Sequence, residues 1–182
     1  SSGIMELAQL TESQKLHLMT EMETFDRRID LLLIDTGAGL NDSVVYFNLA
    51  ARERLVLLTP EPTSLIDAYA LIKVLSSRHD LKRFRILVNY CRSEQEALSI
   101  FRKLSTMTDR FLDSLSLDYL GYIPADPQLP LAVRNQRLVS EQFPDSPAAR
   151  MFGHLADQLL LEPPERTMDG NIKFLWQGMF NL

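Results

Sequence analysis

The sequence predicts an α/β fold, a mostly parallel sheet with helices on both faces, and three observations carry that prediction. Short apolar runs without polar alternation, at Asp30 to Asp35, Leu55 to Thr59, Phe84 to Asn89 and Leu117 to Ile123, read as strands buried on both faces. Helical periodicities lie between them, which is the spacing of βαβ units. Finally, 46% apolar residues in a chain of 182 suffice for the core of one domain of ordinary size.

Taken in order, Thr11 followed by Gln14 has the form of a capping box, and Leu16, Leu18, Met19, Met22 and Phe25 recur at helical intervals. The run Asp30 to Asp35 then ends in a carboxylate and a glycine-bearing turn. A short helix over Asp42 to Ala51 leads to the second strand. Thr63 is placed to cap a helix carrying Leu65, Ile66, Tyr69, Ile72 and Leu75. Ser93 with Glu96 offers another capping box, for a long helix through Ile100, Phe101, Leu104 and Phe111. After the fourth strand, Pro124, Pro127 and Pro130 enforce a loop, because proline has no N–H for a ladder. A last packed helix runs from near Ser146 to about Leu161.

Residues 1–161 therefore form one portion of a domain. Residues 162–170, with two prolines, a glycine and several charges, read as an exposed linker. Residues 171–182 read as an amphipathic tail helix, in which Ile172, Leu175, Trp176, Met179 and Phe180 fall at i, i+3, i+4, i+7 and i+8. That stripe suits either a membrane interface or a protein surface, and its one cation, Lys173, makes electrostatic anchoring weak.

Composition narrows the function classes. With 24 acidic against 19 basic residues and a pI near 5.2, nothing favours broad contact with a phosphate backbone, so direct nucleic-acid binding is not expected. A lone cysteine, Cys91, cannot form an internal disulfide and reads as a small buried thiol. The absence of a signal-like start points to the cytosol, and no apolar run is long enough to span a bilayer. The three histidines lie far apart, so no metal site is expected beyond Mg²⁺ brought by a substrate.

In a parallel sheet ligands bind beyond the strand carboxyl ends, where Asp35, Thr59, Asn89 and the Pro124 loop fall. An aspartate there, followed by Thr36, Gly37, Ala38 and Gly39, has the chemistry of a Walker B site. The carboxylate can hold Mg²⁺ or its water, and glycine lets backbone N–H groups approach a phosphate. The same pattern also fits an ordinary strand-ending turn.

Five segments weigh on this choice: LLLIDTGAGL, TPEPTSLIDAYALIKVL, RFRILVN, TDRFLD and GYIPADPQL. Their order and separation resemble those of MinD/ParA-like P-loop ATPases. EPTSLIDAYALIKVL and TDRFLD are similar to the FleN/FlhG branch, which regulates flagellar number. The resemblance implies a MinD-like fold that binds ATP and Mg²⁺, dimerises on ATP and resets by hydrolysis. It implies that Asp35 is the Walker B carboxylate, that Gly39 belongs to the loop sensing the γ-phosphate, and that Asn89, Pro124 and Asp126 surround the base. Asp67 resembles positions that meet protein partners, here a flagellar transcription regulator or an export or assembly protein. An aspartate on an exposed helix face is also often merely solvated.

One family feature is missing. No stretch reads G-x-x-x-x-G-K-[ST], and the family's variant with an additional lysine is also absent. These 182 residues alone are therefore expected not to hydrolyse ATP, and to be the C-terminal portion of a longer ATPase. By the same resemblance the strand before the phosphate loop would lie between Leu31 to Asp35 and Leu55 to Thr59. Two other readings stand beside the ATP switch. One is a nucleotide-free interaction module, and the other a ParA-like partition or division-site protein, which the acidic balance disfavours.

Overall fold

The computed structural model describes residues 31–112 and 115–161. The chain divides into two compact units, residues 54–164 and residues 1–53 with 165–182. The expected helix at Thr11 to Phe25, the linker and the tail residues Ile172, Leu175, Trp176, Met179 and Phe180 lie outside the described residues.

In the first unit the described residues are an extended stretch from Leu31, a turn and helix α1 (Asp42–Ala50). Asn41 caps α1, its Oδ1 accepting from the Val44 N–H at 3.0 Å. The strand expected at Asp30 to Asp35 is not formed: residues 31–37 carry no strand, and Leu31, Leu32 and Leu33 are exposed. A strand exists only through a neighbour that takes its N–H and C=O groups, and among the described residues no strand pairs with this run.

The second unit contains β1 (Leu55–Leu58), α2 (Pro62–His79), β2 (Arg83–Cys91), α3 (Glu94–Phe111) and β3 (Ser116–Pro124). After these come α4 (Gln128–Arg134), α5 (Val139–Gln142) and α6 (Pro147–Leu161). The three strands pair in the order β1-β2-β3, all parallel, with Leu57 beside Leu87 and Ile86 beside Tyr119. This is the predicted α/β architecture, each crossover being a helix.

Helices cover the two faces unequally. On one side α2 packs on β1 and α3 packs on β2 and β3, over Val56, Leu58, Phe84, Ile86 and Val88, all buried. On the other, α6 packs on β3, where Leu120, Ile123 and Leu87 meet Ala148 and Leu155. The cover stops short of β1. Leu58 is fully buried, whereas its neighbour Leu57 on the opposite face is 55% exposed.

Local chemistry sets the boundaries. Ser93 caps α3 by accepting from the Glu96 N–H at 3.3 Å, and Glu96 reaches back to the Arg92 N–H at 2.6 Å, the expected reciprocal cap displaced by one residue. Helix α2 differs from expectation: it begins at Pro62, in the first helical position where proline loses no bond, and Thr63 lies inside it. Ser64 instead ties the helix to the sheet, its Oγ accepting from the Thr59 N–H at 3.0 Å. The loop expected after Pro124 is also shorter than predicted, because α4 starts at Gln128. Pro130 falls in its first turn, where N–H groups have no intrahelical acceptor, so the ring breaks nothing.

Candidate functional site

The carboxyl edge of the sheet in the second unit is built by the ends of β2 and β3. At the end of β2 the pairing with β3 shifts register between Val88 and Cys91 before closing again at Cys91 and Pro124. The Ala125 N–H then donates to the Cys91 carbonyl at 2.8 Å, continuing the ladder into the loop. Between these fixed points Asn89 and Tyr90 form an irregularity of the bulge kind. Tyr90 has φ 61, in the left-handed region, and Asn89 Oδ1 accepts from the Tyr90 N–H at 2.8 Å. Tyr90 stands outside the regular ladder and is 64% exposed.

Asp126 organises the adjoining loop. Only 5% exposed, its carboxylate accepts from the Gln128 N–H at 2.9 Å and from the Ala148 N–H at 3.0 Å. One side chain thereby fixes the start of α4 and the start of α6. The Ala148 N–H chiefly, with smaller help from Gln128 and the Ser146 hydroxyl and against the opposing effect of burial, holds the carboxyl below its ordinary value. Ser146 adds its own cap, accepting from the Ala149 N–H at 3.2 Å. Asp126 was expected in the loop that closes over a nucleotide base, and its oxygens accept from the chain's own N–H groups, which shapes that loop.

The other expected residues are placed as follows. Asn89 is half-buried at the end of β2, and Pro124 half-buried at the end of β3, paired to Cys91. Asp67 is exposed on α2 beside Ile66, which is also exposed. Asp35 and Gly39 belong to the other unit, Asp35 exposed and Gly39 at φ 100, a conformation that suits glycine. Among the described residues no group of three or more His, Cys, Asp or Glu side chains gathers around a metal-sized space. Cys91 is buried, as expected, and burial, with Glu96 adding to it, pushes its thiol up to about 11, which leaves it unreactive as a nucleophile.

Sequence reasoning passed over Tyr90. The signal available was an aromatic residue directly after a strand-ending asparagine, and nothing in a linear pattern announces positive φ for tyrosine.

Three parallel strands with crossover helices form an α/β unit consistent with the MinD-like P-loop NTPase fold. Within that class the chain is a relative of the FleN/FlhG type. It is 41% identical over 174 residues, 96% of its length, to the antiactivator FleN of Pseudomonas aeruginosa. It is 26% identical over 87% of its length to the flagellum site-determining protein YlxH of Helicobacter pylori. It is also 25% identical over 72% of its length to the cytosolic Fe-S cluster assembly factor NBP35 of Eremothecium gossypii. The chain spans 62%, 52% and 42% of the lengths of these three relatives. No family model matches it. Among the described residues no helix is long and apolar enough to cross a membrane.

Proposed function

We propose that the chain is part of an ATP-operated switch that regulates flagellar number, contributing the base-side rim and a partner-facing helix. The observations that carry this reading are its 41% identity across 96% of the chain to the antiactivator FleN and its likeness to a flagellum site-determining protein. The geometry supports it in kind. A loop pinned by Asp126 follows Pro124 at the carboxyl edge of the sheet, the edge at which parallel α/β sheets bind ligands. By the family resemblance, Asp35 would supply a carboxylate for Mg²⁺ and Gly39 permissive backbone for a phosphate. Bound ATP with its Mg²⁺ would supply charge that two copies can share across a dimer interface, and its hydrolysis would reset the switch. The residues here hold the base and shape the loop. A lysine-bearing phosphate cradle is not among them.

The exposed pair Ile66 and Asp67 on α2 is the proposed contact for a flagellar transcription regulator. The tail stripe from Ile172 to Phe180 is the proposed membrane contact, weak singly and strengthened when a dimer presents two. The test is equilibrium binding of the purified regulator with and without Mg-ATP. Binding that requires Mg-ATP and fails in Asp67→Arg supports the switch. Binding indifferent to nucleotide replaces it with the nucleotide-free interaction module, which the exposed α2 face at Ile66 and Asp67 favours. Retention on DNA by the protein alone would revive the partition-type reading.

A further inference from the structure

We propose that α4 and the turn into α5 form a docking surface for a partner protein that offers an acidic amphipathic segment, with carboxylates interspersed among aliphatic side chains. Around α4, at about 100° per residue, Ala132 lies on the buried face with Leu129. Leu131 and Val133 then fall on opposite flanks, and Arg134 on the crest between them. The turn that follows is closed by the chain's own backbone: the Arg137 N–H donates to the Ala132 carbonyl at 3.0 Å, and Gln136 takes φ 52. Leu138 is next, at the N-cap of α5. Leu131, Val133 and Leu138 are all exposed, at 45%, 67% and 64%. Their frame is nonetheless fixed, because Ala132, Val139 and Ala149 are buried together and Asp126 ties the start of α4 to that of α6. An aliphatic surface on a preformed frame costs little ordering when something covers it.

The charges say what covers it. The chain has a net charge of −5, yet from Pro127 to Ser140 it carries Arg134 and Arg137 and no carboxylate. Of the acids that bound this stretch, Asp126 is buried and engaged by the N–H groups of Gln128 and Ala148, and Glu141 lies beyond it on α5. Two other exposed cations have carboxylate partners, Lys82 at 2.9 Å from Asp80 and Arg83 at 2.8 Å from Asp118. Arg134 and Arg137 are exposed and have no ion pair among the described residues. Aliphatic side chains flanked by unpaired cations match a segment of the opposite pattern, apolar contact supplying affinity and the charges orientation. Both cations are arginines, whose planar fork holds a carboxylate through two hydrogen bonds, and arginine is enriched at protein interfaces where lysine is depleted. An anionic membrane is met by clusters of about four to eight cations, more than this turn carries, so a protein is the better match. The surface is on different elements from Ile66 and Asp67 of α2, and it does not rest on the switch reading.

The experiment measures, by fluorescence anisotropy, binding of labelled synthetic peptides to the protein at its full natural length. The probes are an amphipathic peptide of leucine and glutamate, its leucine and lysine counterpart, and a serine and glutamate peptide without the aliphatic side chains. The first should bind and the other two should bind at least about tenfold more weakly. Arg134→Glu with Arg137→Glu should weaken the first peptide roughly tenfold or more, since repelling carboxylates replace attracting cations. Val133→Ser with Leu138→Ser should weaken it roughly tenfold through lost apolar contact, and should melt close to the unaltered protein because both sites are exposed. The two pairs act through different chemistry, so one reports even where the other folds poorly. Arg102→Glu with Lys103→Glu, an equal change of charge at exposed sites on α3, should leave binding within about twofold. Binding that survives both turn variants, or falls as far in the α3 pair, overturns the surface, as does an unaltered protein that binds none of the peptides. Phosphatidylserine vesicles that retain the unaltered protein and release Arg134→Glu with Arg137→Glu would replace the protein partner with a membrane. A fall in sedimentation mass in Val133→Ser with Leu138→Ser would replace it with a second copy of this chain.

Discussion

Ile86, Leu87 and Val88 in β2 and Leu31, Leu32 and Leu33 near Asp35 are both unbroken aliphatic runs that end in a polar residue at a turn, yet the first is buried and the second exposed. The difference lies in their neighbours. Strand β2 has a strand on each side and helices against both faces, so its backbone groups are paired and its side chains leave water. The run at Leu31 has no strand partner among the described residues, and hydrophobicity alone does not make a strand. A pattern for two-sided burial thus specifies what a segment needs and leaves open whether the surrounding chain supplies it.

The same contrast is reproduced within one strand, and breaking it there has the largest expected effect. Leu58 is fully buried under α2 while Leu57 is 55% exposed. Leu58→Ala should cost about 3 kcal/mol of unfolding free energy, and Leu57→Ala less than about 1 kcal/mol. Urea denaturation of the two variants measures the gap. Equal losses would mean that the far face of β1 is covered, and the comparison would fail.

The pinned loop comes next. Asp126→Ala leaves the N–H groups of Gln128 and Ala148 without their acceptor, one of them in a buried setting, and should cost about 2 kcal/mol. The sign of its pH dependence follows from the lowered folded-state pKa. The carboxylate stabilises the fold above its unfolded pKa, near 4, and that contribution is lost as pH falls through the lower folded value. The stability difference between the protein and Asp126→Asn should therefore be full at pH 6 and shrink below about pH 4. A difference constant from pH 6 to 3 would show that Asp126 acts through packing alone.

A smaller effect is expected at Gly121, where φ is 143 and an added Cβ would meet Leu155 Cδ2 at 3.4 Å. Gly121→Ala should lower stability by about 1 kcal/mol, through backbone strain at positive φ, and lower the melting temperature by a few degrees. No change would mean that the register shift at Leu87 does not depend on glycine.

Most of this fold was legible because its signals are local. The apolar runs at Leu55, Phe84 and Leu117 became strands, and the Ser93 and Glu96 pair capped α3 as its spacing predicts. What was not legible depended on distant partners. Three prolines hid α4, because their effect turns on whether the helix starts before or after them. The part Asp126 plays was hidden in Ala148, 22 residues away. Tyr90 was hidden by a register shift that only pairing with β3 produces. The carboxyl edge of the sheet could be read from topology, whereas the conformations along it could not.

The smallest effect tests the opening contrast most directly. Leu33 is 75% exposed, so Leu33→Ser removes little surface from contact and should change stability by less than about 0.5 kcal/mol. In amide exchange, residues 31–35 should lose protection at once, while Ile86 to Val88 should exchange only through global opening, since their ladder is closed on both sides. If a longer stretch of natural chain brings a parallel strand against Leu31 to Asp35, the same Leu33→Ser change should then cost about 2 kcal/mol or more, because an aliphatic side chain would be replaced by a hydroxyl in a buried sheet. A cost that stays near zero in the longer protein would mean that the run is not a strand in any setting, and that Asp35 is positioned by something other than the sheet.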